Sequence, residues 1–227
     1  MTQKKRLSLP VKILIIAGIL LVLLVVVFGS RLAWQMTPTK GEPIGSYATP
    51  NSALLVIDVQ EDLTGVTASS PYPYKDADAL IVSVNRLVDV AQSKGYPVVY
   101  IRQEYNSPLD LPFSGGRLAG NTPGAAIDSR VNVLNDNIFV KVRSDAFSNP
   151  SLESFLAEKQ IDHLYVAGID AAACVHNTSK GALNRGYKVT AISDAITTMD
   201  TAKLPMIFSL YEQEGIEVLS SEDFAAL

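Results

Sequence analysis

The first feature of the chain is an unbroken apolar run, Ile13 to Gly29 (ILIIAGILLVLLVVVFG), 17 residues without a charged or strongly polar side chain. As a helix it would measure about 26 Å, close to the ~30 Å hydrocarbon core of a bilayer. A buried core helix would show a polar stripe or partner elements at its flanks, and neither is present. From Ser52 the pattern changes. SALLVIDVQ, PVVYIRQ, NIFVKV, HLYVAGI, KVTAIS and IEVLS are short, apolar and β-branched, as buried parallel strands are. Between the first two, Leu80, Val84, Leu87, Val88 and Ala91 make one apolar helical face that closes at Gly95. Further helical stretches fall near 151–160, 174–185 and 200–214. This alternation predicts an α/β fold of three layers: a six-stranded, mainly parallel, Rossmann-like sheet with helices on both faces, preceded by a transmembrane helix. Sites on such sheets lie beyond the carboxyl ends of the strands.

Charge divides with hydropathy. Six of the 19 bases and none of the 23 acids lie in residues 1–41, so the remainder carries ten more acids than bases. Nucleic acid, which needs clustered positive charge, is excluded as a partner. Lys4, Lys5, Arg6 and Lys12 precede the apolar run, against Arg31 and Lys40 after it. The bias places a short basic N-terminus (1–12) in the cytoplasm, a signal anchor at 13–29, a Pro/Gly-rich linker at 30–50 and a domain at 51–227 on the far side. The expected location is therefore a single-pass, membrane-anchored protein with an extracytoplasmic domain, Trp34 serving as an interfacial ring. A cleaved signal peptide is the rival reading, opposed by the length of the run and the lack of a clear A-x-A site. One cysteine rules out an internal disulfide, and two histidines rule out a His-rich metal site.

Three strand ends carry reactive side chains. Asp58 follows five apolar residues, Lys141 interrupts the apolar strand IFVKV, and Cys174 lies just after a strand, at the first turn of a helix. Each has a bland reading: a turn or helix cap for the acid, an edge-strand gatekeeper for the lysine, an inert buried thiol for the cysteine. Together they form a nucleophile, its base and a charge partner, and the helix N-terminus and a nearby ammonium favour a thiolate.

The segments LLVIDVQEDL, NTPGAAID, VKVRSDAFSNPSLESFL, VAGIDAAACVHNTSKGAL and GYKVTAISDAI resemble, in order and spacing, the isochorismatase-like cysteine hydrolases, the superfamily that includes nicotinamidases. The resemblance covers roughly Ala53 to Ile216. It implies an Asp-Lys-Cys triad at Asp58, Lys141 and Cys174, a cis peptide between Ile169 and Asp170, and an oxyanion hole from the amides of Asp170 and Cys174. It further implies hydrolysis of a small amide or related C–N bond through a thioester. The alternatives are vinyl ether hydrolysis of the isochorismatase type, which the thiol disfavours, and a domain that binds a small ligand or partner without turnover. Family members commonly form oligomers, and the apolar helix faces permit a homo-oligomer here.

Departures limit the analogy. The threonine found in many members three residues before the cysteine is here Ala171. Nicotinamidases bind a metal through an Asp-x-His pair and a further histidine, whereas this chain has only His163 and His176, so neither metal nor other cofactor is expected. His176, two residues past the nucleophile, points elsewhere on a helix and reads as helix surface. Phe147 matches an aromatic often near the family's site and is the expected substrate contact. Tyr72, Tyr74, Tyr105 and Phe113 lie on loops that border the same sheet edge, and Gln60 and Asp62 follow the catalytic acid with roles either structural or toward the ligand.

Overall fold

The structure, a computed structural model, describes residues 8–110 and 114–227. Phe113 and most of the basic N-terminal stretch lie outside the described residues. Two units are distinguished, Met1–Gln35 and Met36–Leu227. The first is dominated by helix α1 (Leu9–Met36), whose apolar side chains are exposed and which is long and apolar enough to cross a membrane. It runs past the apolar stretch that predicted it, through Arg31 and Trp34, because no breaker intervenes before Thr37 and Pro38; a residue preceding proline resists helical geometry. At 28 residues it measures about 42 Å, comparable to a bilayer with its headgroup regions. The Arg31 guanidinium lies 4.0 Å from the centroid of the Trp34 ring.

The second unit is a three-layer α/β domain. Its strands are β1 (Asn51–Ile57), β2 (Val98–Gln103), β3 (Ile138–Lys141), β4 (Ile161–Gly168), β5 (Lys188–Ile196) and β6 (Glu217–Leu219), with helices α2 (Ala77–Ser93), α3 (Pro150–Glu158), α4 (Cys174–Leu183), α5 (Leu204–Gln213) and α6 (Ser221–Ala226). The strands form one sheet in the order β3-β2-β1-β4-β5-β6, with every pairing parallel. Alternation along central β1 explains the layers. Ala53, Leu55 and Ile57 pack with Leu152 and Leu156 of α3, Val175 of α4 and Tyr211 of α5. Leu54 and Val56 face the opposite side, where α2 contributes Leu80, Val84, Leu87, Val88 and Ala91 and α6 contributes Phe224. Helix α2 ends as its sequence predicts, with Gly95 at φ +72°.

Two features set the geometry of the strand ends. β1 stops at Ile57 because Asp58 adopts φ +54°, a left-handed conformation that Asp tolerates better than most residues and that turns its side chain out of the strand alternation. Beside it, β4 ends on Gly168 at φ +116°, where a Cβ would sit 2.0 Å from the Ile57 carbonyl oxygen; only glycine permits this approach.

Residues 37–50, expected as part of a loose linker, are strapped to the domain instead. Thr39 donates from its amide (2.6 Å) and hydroxyl (2.5 Å) to Oδ2 of Asp145, a fully buried carboxylate. Arg185 donates to the Thr39 hydroxyl (3.0 Å) and to the Lys40 carbonyl (3.3 Å), Ile44 N–H donates to the Arg185 carbonyl (2.8 Å), and Thr49 donates to Gln160. A buried carboxylate demands donors, and the strap supplies them, which is why polar Thr39 is fixed rather than solvated. Thr39→Val is expected to cost about 1–3 kcal/mol, the range for a hydrogen bond to a buried charged acceptor. Chemical denaturation of the full chain, with a midpoint no lower than that of the wild type, would contradict this role for the strap.

Candidate active site

The carboxyl ends of β1, β3 and β4 bring three reactive side chains together. Asp58 and Lys141 are almost wholly enclosed, and Lys141 Nζ lies 2.8 Å from Asp58 Oδ2. The ammonium also donates to Gln103 Oε1 (2.7 Å) and the Arg143 carbonyl (3.2 Å), and lies 3.3 Å from Cys174 Sγ. β3 is an edge strand, as a gatekeeper lysine requires, but the side chain points inward to a paired carboxylate, so that reading fails. Cys174 opens α4 and is only partly buried.

Burial and mutual charge shift the pKa of all three groups. Burial pushes the Asp58 carboxyl above its ordinary value, with Lys141 pulling the other way. Burial pushes the Cys174 thiol up to about 12, against the pull of Lys141. For Lys141 burial opposes the charge, but the field of Asp58 and Cys174 outweighs it and raises the pKa. The raised thiol pKa keeps Cys174 protonated at neutral pH, beside the Asp58–Lys141 contact. Asp58 Oδ1 is buried and accepts no hydrogen bond among the described residues, which leaves a lone pair for a proton.

The turn before Cys174 presents backbone donors. The Ile169–Asp170 peptide is cis, as the resemblance implied. The amides of Ala171, Ala172, Ala173 and Val175 are spent on the Thr197 carbonyl, Asp170 Oδ1 and, for the last two, the Asp170 carbonyl. Asp170 and Cys174 are the two amides of the turn that make none of these bonds. The Asp170 side chain is held by the hydroxyls of Tyr74 (3.1 Å) and Thr198 (2.8 Å). Thr198, not a residue at 171, supplies a hydroxyl to this turn, and Tyr211 hydroxyl donates to the Ala171 carbonyl at 2.5 Å.

Above the triad is a cavity of about 290 Å³, lined by Tyr72, Tyr74, Tyr105, Arg117, Leu118 and Asp170 as well as Asp58, Gln103 and Cys174. That is room for roughly ten waters, hence for a small molecule. Phe147 is not at the cavity. It is buried in the core among α4 neighbours, its ring 5.6 Å from Tyr187 and 4.6 Å from the Arg185 guanidinium, because residues 146–148 turn it beneath the sheet's helical layer. The three loop tyrosines occupy the place expected for it.

The remaining candidates are structural. Gln60 is buried and satisfies the backbone of Gln103 (N–H and carbonyl) and the Ala125 carbonyl. Asp62 accepts from Leu118 N–H and the Thr67 hydroxyl. His176 pairs with Glu214 at 2.5 Å and stacks on Tyr211, and His163 bonds Thr190. The residues present do not fit a nicotinamidase-type metal: no histidine follows Asp58 nearby, and no group of three or more His, Cys, Asp or Glu side chains among the described residues could hold an ion. Gln103, which holds Lys141, went unnoticed in the sequence; its place at the end of β2 was the available signal.

The chain is similar in sequence and fold to known proteins. A family profile described as an isochorismatase domain matches residues 52–223. A probable inactive nicotinamidase of Arabidopsis thaliana is 28% identical over 158 residues, 64% of this chain and 80% of the relative. The N-carbamoylsarcosine amidase of an Arthrobacter species is 29% identical over 130 residues, 52% of this chain and 49% of the relative, so the match spans about half of that protein. The fold is that of a cysteine hydrolase from Pseudomonas syringae pv. phaseolicola 1448A, with a TM-score of 0.71 and 19% identity, covering 82% of this chain and 97% of that one. With the profile spanning most of the chain, over the segment that builds the sheet and the triad, the protein belongs to the isochorismatase family.

Proposed function

We propose that the chain is a membrane-anchored cysteine hydrolase that cleaves a C–N bond of a small amide or carbamoyl compound. The observation that carries this reading is the meeting of Asp58, Lys141 and Cys174, with Asp58 and Cys174 lining one cavity and Lys141 buried behind them. α1 is the anchor and the domain lies outside the cytoplasm; the relative excess of bases before the apolar run supports that orientation.

Asp58 takes the thiol proton, and the ammonium of Lys141 stabilises the resulting thiolate. The sulfur bonds to the carbonyl carbon, and the carbonyl oxygen becomes an oxyanion facing the amides of Asp170 and Cys174. Asp58 gives the proton to the leaving nitrogen as the C–N bond breaks, which leaves a thioester. Water then attacks the thioester, its proton passing to Asp58. The second tetrahedral intermediate breaks its C–S bond, and Asp58 returns the proton to sulfur. The raised pKa of Asp58 suits a group that must both accept and release a proton.

Small primary amides, ureas and carbamoyl compounds, offered to the full chain in detergent, should release ammonia, and Cys174→Ala should release none. Hydroxylamine should trap the acyl group as a hydroxamate; turnover that persists in Cys174→Ala would overturn the mechanism. Asp58→Asn is expected to lower kcat by about 10²–10⁴-fold. Below the Asp58 pKa the carboxyl is already protonated and cannot serve as base, so kcat/KM should fall as pH drops, with a midpoint above the ordinary 3.8. A flat profile down to pH 4 would argue against this base. Lys141→Ala strands a buried carboxylate and should cost about 3–5 kcal/mol of stability, of which Lys141→Met combined with Asp58→Asn recovers a large part without recovering activity.

A further inference from the structure

The charges that line the cavity are unequally matched. The carboxylate of Asp58 is paired with Lys141. The carboxylate of Asp170 accepts from Tyr74, from Thr198 and from the amide of Ala172. Asp62, beside the loop, is spent on Leu118 N–H and Thr67. Arg117 differs. Its guanidinium donates to the carbonyls of Ser69, Ser70 and Ser114, and it forms no ion pair with a carboxylate among the described residues. Carbonyl dipoles hold the group in place but do not cancel a full positive charge. Three of its five N–H groups are so used.

The position is built for one orientation. The guanidinium lies 5.0 Å from the Tyr72 ring centroid, and a Cβ at Gly115 would come within 2.9 Å of Arg117 Nη1. Tyr72 and Gly115 line the same cavity as Arg117 and Cys174. A half-exposed planar cation held by three carbonyls in the wall of a small cavity, with Asp58, Asp170 and Asp62 already engaged, favours a planar anion.

We propose that Arg117 is a specificity-determining residue that selects amides bearing a carboxylate in addition to the scissile carbonyl. This rests on the hydrolase reading above for the reaction, though not for the binding of the anion. The substrate class is then a small half-amide of a dicarboxylic acid or an N-carbamoyl amino acid, either of which matches the cavity in size. A neutral amide lacks the group that offsets the Arg117 charge, and the cost of displacing water from the guanidinium goes uncompensated.

Calorimetry on the full chain in detergent, carrying Cys174→Ala to prevent turnover, separates this from catalysis. Succinamate and N-carbamoylglycine are compared with their uncharged methyl esters. We expect each acid to bind at least tenfold more tightly than its ester, the difference to vanish in Arg117→Gln and to return in part in Arg117→Lys. Equal binding of acid and ester, binding of neither, or a preference that survives Arg117→Gln would overturn the proposal. In the turnover assay with Cys174 intact, Arg117→Gln should lower kcat/KM for the acids at least tenfold more than for the amide bond of their esters; an equal loss on both would mark Arg117 as a loop brace and overturn its selective role. Acid-selective binding without hydrolysis of any amide would sink the hydrolase reading alone.

Discussion

An ammonium enclosed among apolar strands can persist only if its charge is met, and the contact between Lys141 and Asp58 meets it. The neighbours of the pair follow from that need. Gln103 aims its carbonyl oxygen at the ammonium, and Gln60 in turn fixes the backbone of Gln103 and ties it to the loop at Ala125. The left-handed turn at Asp58 and the bare Cα of Gly168 let two strand ends come close enough for the thiol to join the pair. Stability and the proposed chemistry therefore rest on one set of atoms, and burial that makes the pair costly to break also keeps the thiol protonated.

The sheet and the meeting of Asp58, Lys141 and Cys174 are legible because their signals are intrinsic to short stretches of sequence. β-branched apolar runs can hide both faces only in a central parallel strand, and a lysine in such a run must find an acid. Alternation along Ala53–Ile57 correctly implies helices on both sides. α6 was missed: six residues are too few for a periodic face, although Ser220 and Asp223 form a capping box that marks its start. The strap over 37–50 was also hidden. Threonine, proline and glycine read as a spacer when their partners, Asp145 and Arg185, lie more than a hundred positions away.

The cavity wall shows the same limit more sharply. The family resemblance implies Phe147 at the substrate, yet a short 3-10 turn carries it into the core beside Tyr187. Tyr72, Tyr74 and Tyr105 reach the cavity from loops after β1 and β2, whose paths local pattern does not determine. Strand ends are fixed by pairing, whereas loop paths depend on distant contacts, such as those of Arg117 with the carbonyls of Ser69 and Ser70.

The placement of Lys141 carries one more consequence. It is the last residue of a four-residue strand that has a neighbour on one side only, so the anchoring of the ammonium depends on the border of the sheet rather than its centre. Short borders fray at lower free energy than the middle of a sheet. On warming, the chemistry should fade while β1, β4 and β5 are still intact, and heat inactivation should run ahead of the cooperative melting of the domain.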